Sequence, residues 1–162
     1  LRKVGRVDEA IDAHTRARDL YRTTEDRHRE ATAWNNLGSA LRKVGRVDEA
    51  IDAHTRARDL YRTTEDRHRE AGAWNNLGLA LRKAGRKEGA IEAYGKALKI
   101  CGEFEDWYGA GQALHNLALT HEVTRHPAEA RAAYLQAADA FARANAPAKA
   151  ARARRRAANL DT

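Results

Sequence analysis

Apolar residues in the middle of the chain recur at helical spacing. Four of them lie at i, i+3, i+4 and i+7: Trp74, Leu77, Gly78 and Leu81. This spacing places them on one face of an α-helix. A second amphipathic run begins after Gly85, and its apolar positions are Ala90, Ile91, Tyr94, Ala97, Leu98 and Cys101. Because glycine commonly ends a helix, the pattern predicts a helical hairpin that turns at Gly85.

The hairpin pattern repeats every forty residues. The motif Trp-Asn-Asn-Leu-Gly at 34–38 recurs at 74–78, and a degenerate copy, Leu-His-Asn-Leu-Ala, occupies 114–118. A fixed period of this length is typical of a solenoid, in which each unit buries its apolar face against its neighbours. The sequence therefore predicts a repeat protein with no central core.

The first two repeats are almost copies of each other. Residues 1–40 and 41–80 differ at two positions only, Thr32 against Gly72 and Ser39 against Leu79. Such identity makes helix interfaces interchangeable, which favours swapped or slipped assemblies. Residues 1–6 repeat residues 41–46, so we expect the chain to begin inside a first helix whose earlier part is missing. Apolar surface left uncovered there would favour self-association or the docking of a preceding repeat.

Each unit is predicted to contain a first helix, A, and a second helix, B. The A helices are expected at about Arg27–Val44, Arg67–Ala84 and Asp106–Thr124, and the B helices at about Val7–Thr23, Val47–Thr63, Lys87–Gly102 and Pro127–Ala144. The units are then 1–24 (truncated: the end of an A helix plus a B helix), 27–64, 67–104 and 106–144 (degenerate), with a capping helix at 147–160. Thr24 or Asp26, and likewise Thr64 or Asp66, can cap the A helix that follows.

The unit resembles the tetratricopeptide repeat. The matching positions are Trp34, Leu37, Gly38, Leu41 and Ala50, with His54 where an aromatic residue belongs; then Trp74, Leu77, Gly78, Leu81, Ala90 and Tyr94; then Leu114, Leu117, Ala118, His121, Ala130 and Tyr134. The period exceeds the usual length of about 34 residues. It is similar to the longer repeats of kinesin light chain, of spindle-orientation adaptors and of bacterial regulators. HEAT and armadillo repeats share the period but lack the Trp-x2-Leu-Gly signature.

That resemblance implies an all-α fold: a right-handed α-solenoid of stacked antiparallel helical hairpins, closed by a C-terminal capping helix. The composition agrees, because the chain has two prolines, abundant helix formers and no strand-like alternation. No apolar stretch reaches the roughly twenty residues of a membrane span, and nothing resembles a signal peptide. The single cysteine, Cys101, lies on the buried face of its helix, which predicts an inert core thiol and a reducing, cytoplasmic location.

The net charge of +7 is unevenly distributed. Residues 147–162 carry five cations, Lys149, Arg152, Arg154, Arg155 and Arg156, against Asp161, which gives +4. We interpret them chiefly as the solvated outer face of a terminal helix, with arginines near its C-terminal end, where the helix dipole favours cations. Contact with nucleic acid or with an acidic partner is the alternative.

In arrays of this kind the A helices line a concave groove, and helical phase identifies the side chains that face it. Opposite the buried stripe of each A helix lie Thr32, Asn36, Ser39 and Lys43; then Gly72, Asn76, Leu79 and Lys83; then Gln112, Asn116, Leu119 and Val123. Both differences between the duplicated repeats fall on this stripe, which suggests that it varies with a ligand.

Three groove positions form an asparagine ladder, one residue per repeat: Asn36, Asn76 and Asn116. An amide offers a donor and an acceptor, as an extended peptide backbone does. In kinesin-light-chain arrays, asparagines at the matching position hold the peptide backbone, and the resemblance implies that role here. The alternative is that these amides orient neighbouring helices. Arg42 and Arg82, with Lys43 and Lys83, would form a basic rim that selects an acidic peptide, or would only complement helix dipoles.

No enzyme is expected. His14 and His54 occupy the aromatic packing position, and His115, His121 and His126 lack the spacing of a helical zinc pair. No phosphate loop or nucleophile elbow is present, and we expect no cofactor, metal or membrane contact. The sequence thus predicts a protein-interaction scaffold whose concave groove binds an extended, acidic peptide or a partner domain, which could be a neighbouring domain of its own parent protein. The partner is unidentified. Self-association through near-identical repeats, and nucleic-acid contact through the C-terminal helix, remain alternatives.

Overall fold

The computed structural model describes residues 2–160, with side chains from residue 7 onward. This part of the chain is all-α. Its helices are α1 (Arg2–Thr23), α2 (Arg27–Lys43), α3 (Val47–Thr63), α4 (Arg67–Lys83), α5 (Lys87–Glu103), α6 (Trp107–Val123), α7 (Pro127–Arg143) and α8 (Pro147–Ala158). Each helix packs against its neighbours in the chain, and α4 also contacts α2 and α6. The fold is therefore the predicted α-solenoid, with A helices α2, α4 and α6 and a terminal helix α8.

The A helices begin at an aspartate. Asp26, Asp66 and Asp106 each accept a hydrogen bond from the backbone N–H three residues later, at 3.0, 3.0 and 2.8 Å. Of the two predicted capping candidates the structure thus uses the aspartate, whose side-chain oxygen satisfies one of the free N–H groups of the first turn. The threonine before it instead donates back to α1, from the Thr24 Oγ1 to the Leu20 carbonyl at 3.1 Å.

The turns use residues in the left-handed region. Inside the hairpins Gly45 and Gly85 have φ of 86° and 77°, as the predicted glycine turn requires. Between hairpins the corresponding residues are Glu25, Glu65 and Glu105, with φ of 56°, 57° and 54°. The helix ends from α2 to α7 lie within one residue of the predicted bounds.

The first helix differs from the prediction. We expected a turn at Gly5 and Arg6 that separates the end of an A helix from a B helix, but α1 is continuous from Arg2 to Thr23. At Gly45 and Gly85 the turn connects two full helices that pack against each other. Among the described residues no helix packs on the N-terminal side of Gly5, so the backbone keeps its helical hydrogen bonds through this position.

The core lies between successive helices rather than at a centre. Of the predicted buried stripe of α2, Leu37, Gly38 and Leu41 are buried, whereas Trp34 is half-buried. The guanidinium carbons of Arg18 and Arg56 lie over the Trp34 ring, 4.7 and 5.2 Å from its centre. Glycine permits close helix approach here, because Gly38 lies directly under the His54 ring.

Three residues were predicted to be core groups, and the structure buries two of them. His54 is fully buried at the aromatic packing position, as predicted for its type, while His14 in α1 is only half-buried. Cys101 is buried, and burial raises the pKa of its thiol to about 11. The thiol therefore stays protonated and unreactive at neutral pH.

Candidate peptide-binding groove

The stripe predicted from helical phase is accessible along all three A helices. None of its twelve positions is buried, whereas the opposite stripe provides core residues such as Leu37 and Leu77. Open cavities follow this stripe from one end of the array to the other. Helical phase therefore located the accessible side of each A helix correctly.

The cavity with the most varied lining lies between α4, α6 and α8, and we call it the α8 cavity. It has a volume of 330 Å³ and is lined by Asn75, Asn76, Leu79, Gln112, His115, Asn116, Phe141, Lys149 and Arg152. Four of these residues belong to the predicted groove: Asn76, Leu79, Gln112 and Asn116. Amides, an apolar floor and two cations thus meet in one place.

Other predicted residues line neighbouring openings. Asn36, Ser39 and Lys43 face an opening of 710 Å³ between α1 and α2. Thr32 lies beside Asn36 in a second opening of 450 Å³, and Gly72 lines a narrow one of 220 Å³ between α4 and α6. These openings lie along the same accessible stripe, so the groove is a row of openings rather than a single pocket.

Several predicted residues are not brought to a cavity. The Lys83 ammonium donates to the Arg42 carbonyl oxygen at 2.5 Å, and the Arg42 Nε is itself buried with no hydrogen-bond partner. Leu119 packs beside Ala118 and Ala157. Arg82 is half-buried at the edge of the α8 cavity and does not line it. Of these four cations Lys43 lines an opening, whereas Arg42, Arg82 and Lys83 line none of the cavities described above, so the structure does not bring them together as a continuous basic rim.

The asparagine ladder is cross-linked between repeats. Asn76 donates through Nδ2 to Asn35 Oδ1 at 3.2 Å, and Asn116 donates in the same way to Asn75 Oδ1 at 3.0 Å. Asn35 Oδ1 also lies 3.0 Å from His54 Nδ1 in the core. The amides therefore do orient neighbouring helices. Each donor amide still has one N–H and a carbonyl oxygen for another partner, because an asparagine side chain offers two of each kind of site.

Sequence reasoning missed His115, Phe141, Lys149 and Arg152. The signal for the last of these was the forty-residue register: Arg152 is forty positions after Gln112, and Arg156 is forty after Asn116. Helix α8 therefore continues the A-helix pattern. Its cations were assigned to a solvated outer face because they were considered as a charged run rather than in register with the groove.

The cations of α8 divide between two faces of the helix. Lys149 and Arg152 line the cavity, and the Lys149 ammonium lies 4.6 Å from the centre of the Tyr108 ring. Arg154 and Arg155 are exposed elsewhere on the helix, with Arg154 4.0 Å from Asp139. The inner face of α8 buries alanines, which pack on α7 and make it the predicted capping helix.

The α8 cavity has a positive potential. Burial lowers the pKa of His115, and the charges of Arg152 and Arg156 lower it further, while Glu122 opposes them. Glu122 is 4.0 Å from Arg156 and is absent from the cavity lining, so it offsets only part of the local charge. An anion in the cavity would meet two cations without an acidic side chain beside them.

Stacked antiparallel helical hairpins with an accessible A-helix groove define an α-solenoid of the helical-repeat class. The sequence model of the tetratricopeptide repeat matches residues 1–63 and 69–143. The chain therefore belongs to the tetratricopeptide repeat family. Arrays of this family are in general scaffolds for protein interactions, and the fold supports that general role here.

Solved structures share the fold at low sequence identity. BtubC (BKLC) from P. vanneervenii has a TM-score of 0.77 and 20% identity, over 91% of this chain and 62% of that one. A kinesin light chain-like protein with nearly identical TPR-like repeats from Podosopora anserina has a TM-score of 0.77 and 17% identity, over 97% and 80%. The chain thus spans 62% of the length of BtubC. A search of curated protein sequences gives no significant match.

Two further findings concern the described residues. Among them, no three or more His, Cys, Asp or Glu side chains come together in a way that could hold a metal ion. None of the helices formed by these residues is both long and apolar enough to cross a membrane.

Proposed function

We propose that the chain is an interaction scaffold that holds an extended acidic peptide along its A helices and anchors it in the α8 cavity. The observation that carries this proposal is the lining of that cavity. Asn76 and Asn116 offer amides, Leu79 and Phe141 offer apolar surface, and Lys149 and Arg152 offer positive charge within 330 Å³. This volume accommodates one or two side chains of a peptide, not a globular partner.

Cross-linking of the asparagines supports backbone binding instead of competing with it. The bonds from Asn76 to Asn35 and from Asn116 to Asn75 hold both amides in place before a ligand arrives. Fixing a side chain on binding costs about 0.5–1.5 kcal/mol, and a side chain already held avoids most of that cost. An extended peptide could then pair its N–H and C=O groups with the remaining amide groups.

Charge supports an acidic ligand. A hydrogen bond to a charged group contributes about 1.5–3 kcal/mol, which corresponds to roughly ten- to a hundredfold in affinity. The peptide segment that fits best has an acidic side chain near Lys149 and Arg152, next to an apolar side chain on Leu79 and Phe141.

The test begins with a random dodecapeptide display library selected against the whole chain. We expect enriched peptides to place Asp or Glu beside an apolar residue. A fluorescein-labelled member of the enriched set is then titrated by fluorescence polarisation against Lys149→Glu/Arg152→Glu and against Arg154→Glu/Arg155→Glu. The two variants carry the same change of charge on the same helix, but only the first alters the cavity.

The cavity variant should bind at least about tenfold more weakly, and the outer-face variant should bind within about twofold of the unaltered chain. Asn76→Ala should also weaken binding while the helical circular dichroism is unchanged. Equal losses in both double variants would mean that only overall charge attracts the peptide. A selection that enriches no acidic peptide would refute the proposal.

A further inference from the structure

The asparagine ladder changes its chemistry at the last step. In the first two steps Asn35 and Asn75 each accept a hydrogen bond through Oδ1 from the ladder asparagine of the next repeat, at 3.2 and 3.0 Å. His115 occupies this acceptor position in α6, forty residues after Asn75. The residue forty positions after Asn116 is Arg156 rather than an asparagine. The repeating amide pair is therefore replaced by a histidine and an arginine where the array forms the α8 cavity.

His115 has no hydrogen-bond or ion-pair partner among the described residues. Its ring packs against the Tyr134 ring, with the two ring centres 5.4 Å apart. Four other histidines have a polar atom within 3.6 Å of a ring nitrogen: His28 with Asp66, His54 with Asn35, His68 with Asp106 and His126 with Thr124. His115 is half-buried and lines the α8 cavity, so its ring nitrogens are available to a ligand there.

The charges that face His115 are mostly positive. They come from three helices: Arg152 and Arg156 from α8, Arg82 from α4, and Glu122 from α6 itself. Helix α7 contributes the Tyr134 hydroxyl, which stays uncharged because burial raises its pKa, and Lys149 lines the same cavity. Burial, followed by the charges of Arg152 and Arg156, lowers the pKa of His115. Without a ligand the ring is therefore neutral at pH 7.

An acidic ligand reverses this balance. A carboxylate beside Lys149 and Arg152 shares a cavity of 330 Å³ with His115 and offsets the cations that keep the ring neutral. An opposite charge within about 4–6 Å changes a pKa by about 1–3 in favour of the charged form. The bound carboxylate thus favours the protonated ring, which donates a hydrogen bond to it and adds a third positive charge to the cavity.

We propose that His115 is an anion-binding residue of the α8 cavity that takes up a proton when an acidic side chain binds, so that the array holds its peptide more tightly in mildly acidic solution. The inference rests on the proposed function, because it requires an acidic peptide side chain in this cavity. The direction follows from linkage, since His115 has the higher pKa in the bound state. The gain in affinity is complete below the pKa of the unliganded ring and is lost as the pH rises through the pKa of the bound ring.

The experiment is isothermal titration calorimetry of the whole chain with the acidic peptide selected from the display library, without its label. Affinity is measured at about pH 8 and at about pH 5.5, where Asp and Glu side chains are still ionised. It should be about tenfold higher at the lower pH, which corresponds to a pKa change of about 1 at His115. Near pH 6.5, the heats in two buffers with different ionisation enthalpies should show uptake of up to about one proton per peptide.

Two matched variants assign the proton. His115→Asn restores the asparagine of the first two units and should abolish both the proton uptake and the pH dependence of the affinity. His126→Asn makes the same change at an exposed histidine outside the cavity and should retain both. In proton NMR of the unaltered chain, the ring signal that is lost in His115→Asn should titrate at a higher pH with the peptide than without it.

The outcomes separate this inference from the proposed function. A peptide that binds equally well at both pH values, with no proton uptake, would overturn the role of His115 and leave the acidic-peptide groove standing. Proton uptake that persists in His115→Asn would assign the proton to another group and overturn it as well. If no acidic peptide binds at either pH, the proposed function and this inference both fail.

Discussion

Replacing Gly78 by alanine should destabilise the array, although alanine is the better helix former. A methyl group on Gly78 would lie 2.5 Å from Cε1 and 2.8 Å from Cδ1 of Tyr94, well inside van der Waals contact. The atoms it meets belong to the body of a buried ring and not to a flexible end. The ring or the helix α5 must therefore move to accept it.

The magnitude follows from two opposed terms. Gly→Ala inside a helix is favourable by about 0.5–1 kcal/mol. Overpacking a close contact costs about 1–3 kcal/mol. The fourth unit has Ala118 packed against Tyr134 at the matching place, so a slightly wider helix spacing is attainable and the cost should fall in this range. We expect a net loss of about 1–2 kcal/mol in the free energy of unfolding for Gly78→Ala.

Gly72 is the matched control on the same helix. It is exposed, and a methyl group there would meet no atom within 4 Å, so Gly72→Ala should stabilise the chain by about 0.5–1 kcal/mol. Urea unfolding, followed by helical circular dichroism, measures both variants. In a Tyr94→Ala background the Gly78 substitution should change sign and become stabilising. A Gly78→Ala chain that is more stable than the unaltered one, or a cost that persists without Tyr94, would refute the packing argument.

Three further predictions concern single groups. Burial, with a smaller effect of the Arg42 charge, lowers the pKa of His54 to about 4, so His54 in the unfolded chain takes up its proton first as the pH falls below about 6.5. The free energy of unfolding should therefore decrease by up to about 3 kcal/mol toward pH 4. In urea titrations at several pH values, His54→Tyr should remove this dependence of the free energy of unfolding on pH. Asp66→Ala removes the acceptor for the Arg69 N–H and should lower the free energy of unfolding, measured with urea, by about 1 kcal/mol. The control variant Asp48→Ala, which alters an exposed aspartate, should leave that free energy nearly unchanged. Cys101 should react with iodoacetamide at pH 8 far more slowly in the folded than in the unfolded chain, as mass spectrometry would show, because it is 4% exposed and its pKa is about 11.

Much of the fold could be predicted because repetition makes one helical pattern visible several times. The spacing of Trp74, Leu77 and Leu81 identifies the buried face, and the glycines at 45 and 85 locate the turns. Local rules of this kind depend only on residues close in sequence. The break expected at Gly5 failed because a turn also needs a packed helix on either side, which is a property of the unit and not of the glycine.

The site was only partly predictable for a related reason. Helical phase identified Asn76, Gln112 and Asn116 as accessible, since phase is a local property. It could not show that Asn76 reaches Asn35, because that contact depends on the distance between successive repeats. Arg152 was in register with the groove position Gln112, but its segment lacks the tryptophan and leucine signature, so composition was given more weight than position.

The location of the α8 cavity follows from where the repeats cease to be alike. The first two repeats differ at two groove positions only, Thr32 against Gly72 and Ser39 against Leu79, so they offer a ligand a nearly periodic surface, which suits a peptide backbone. Selection of a particular side chain requires a place where the period is broken. In this chain such a place is the groove position at which one unit has Gly72, the next has Gln112 and helix α8 has Arg152. Under the proposed function, we therefore expect the duplicated repeats to set the path of a bound peptide and the last three helices to determine its sequence.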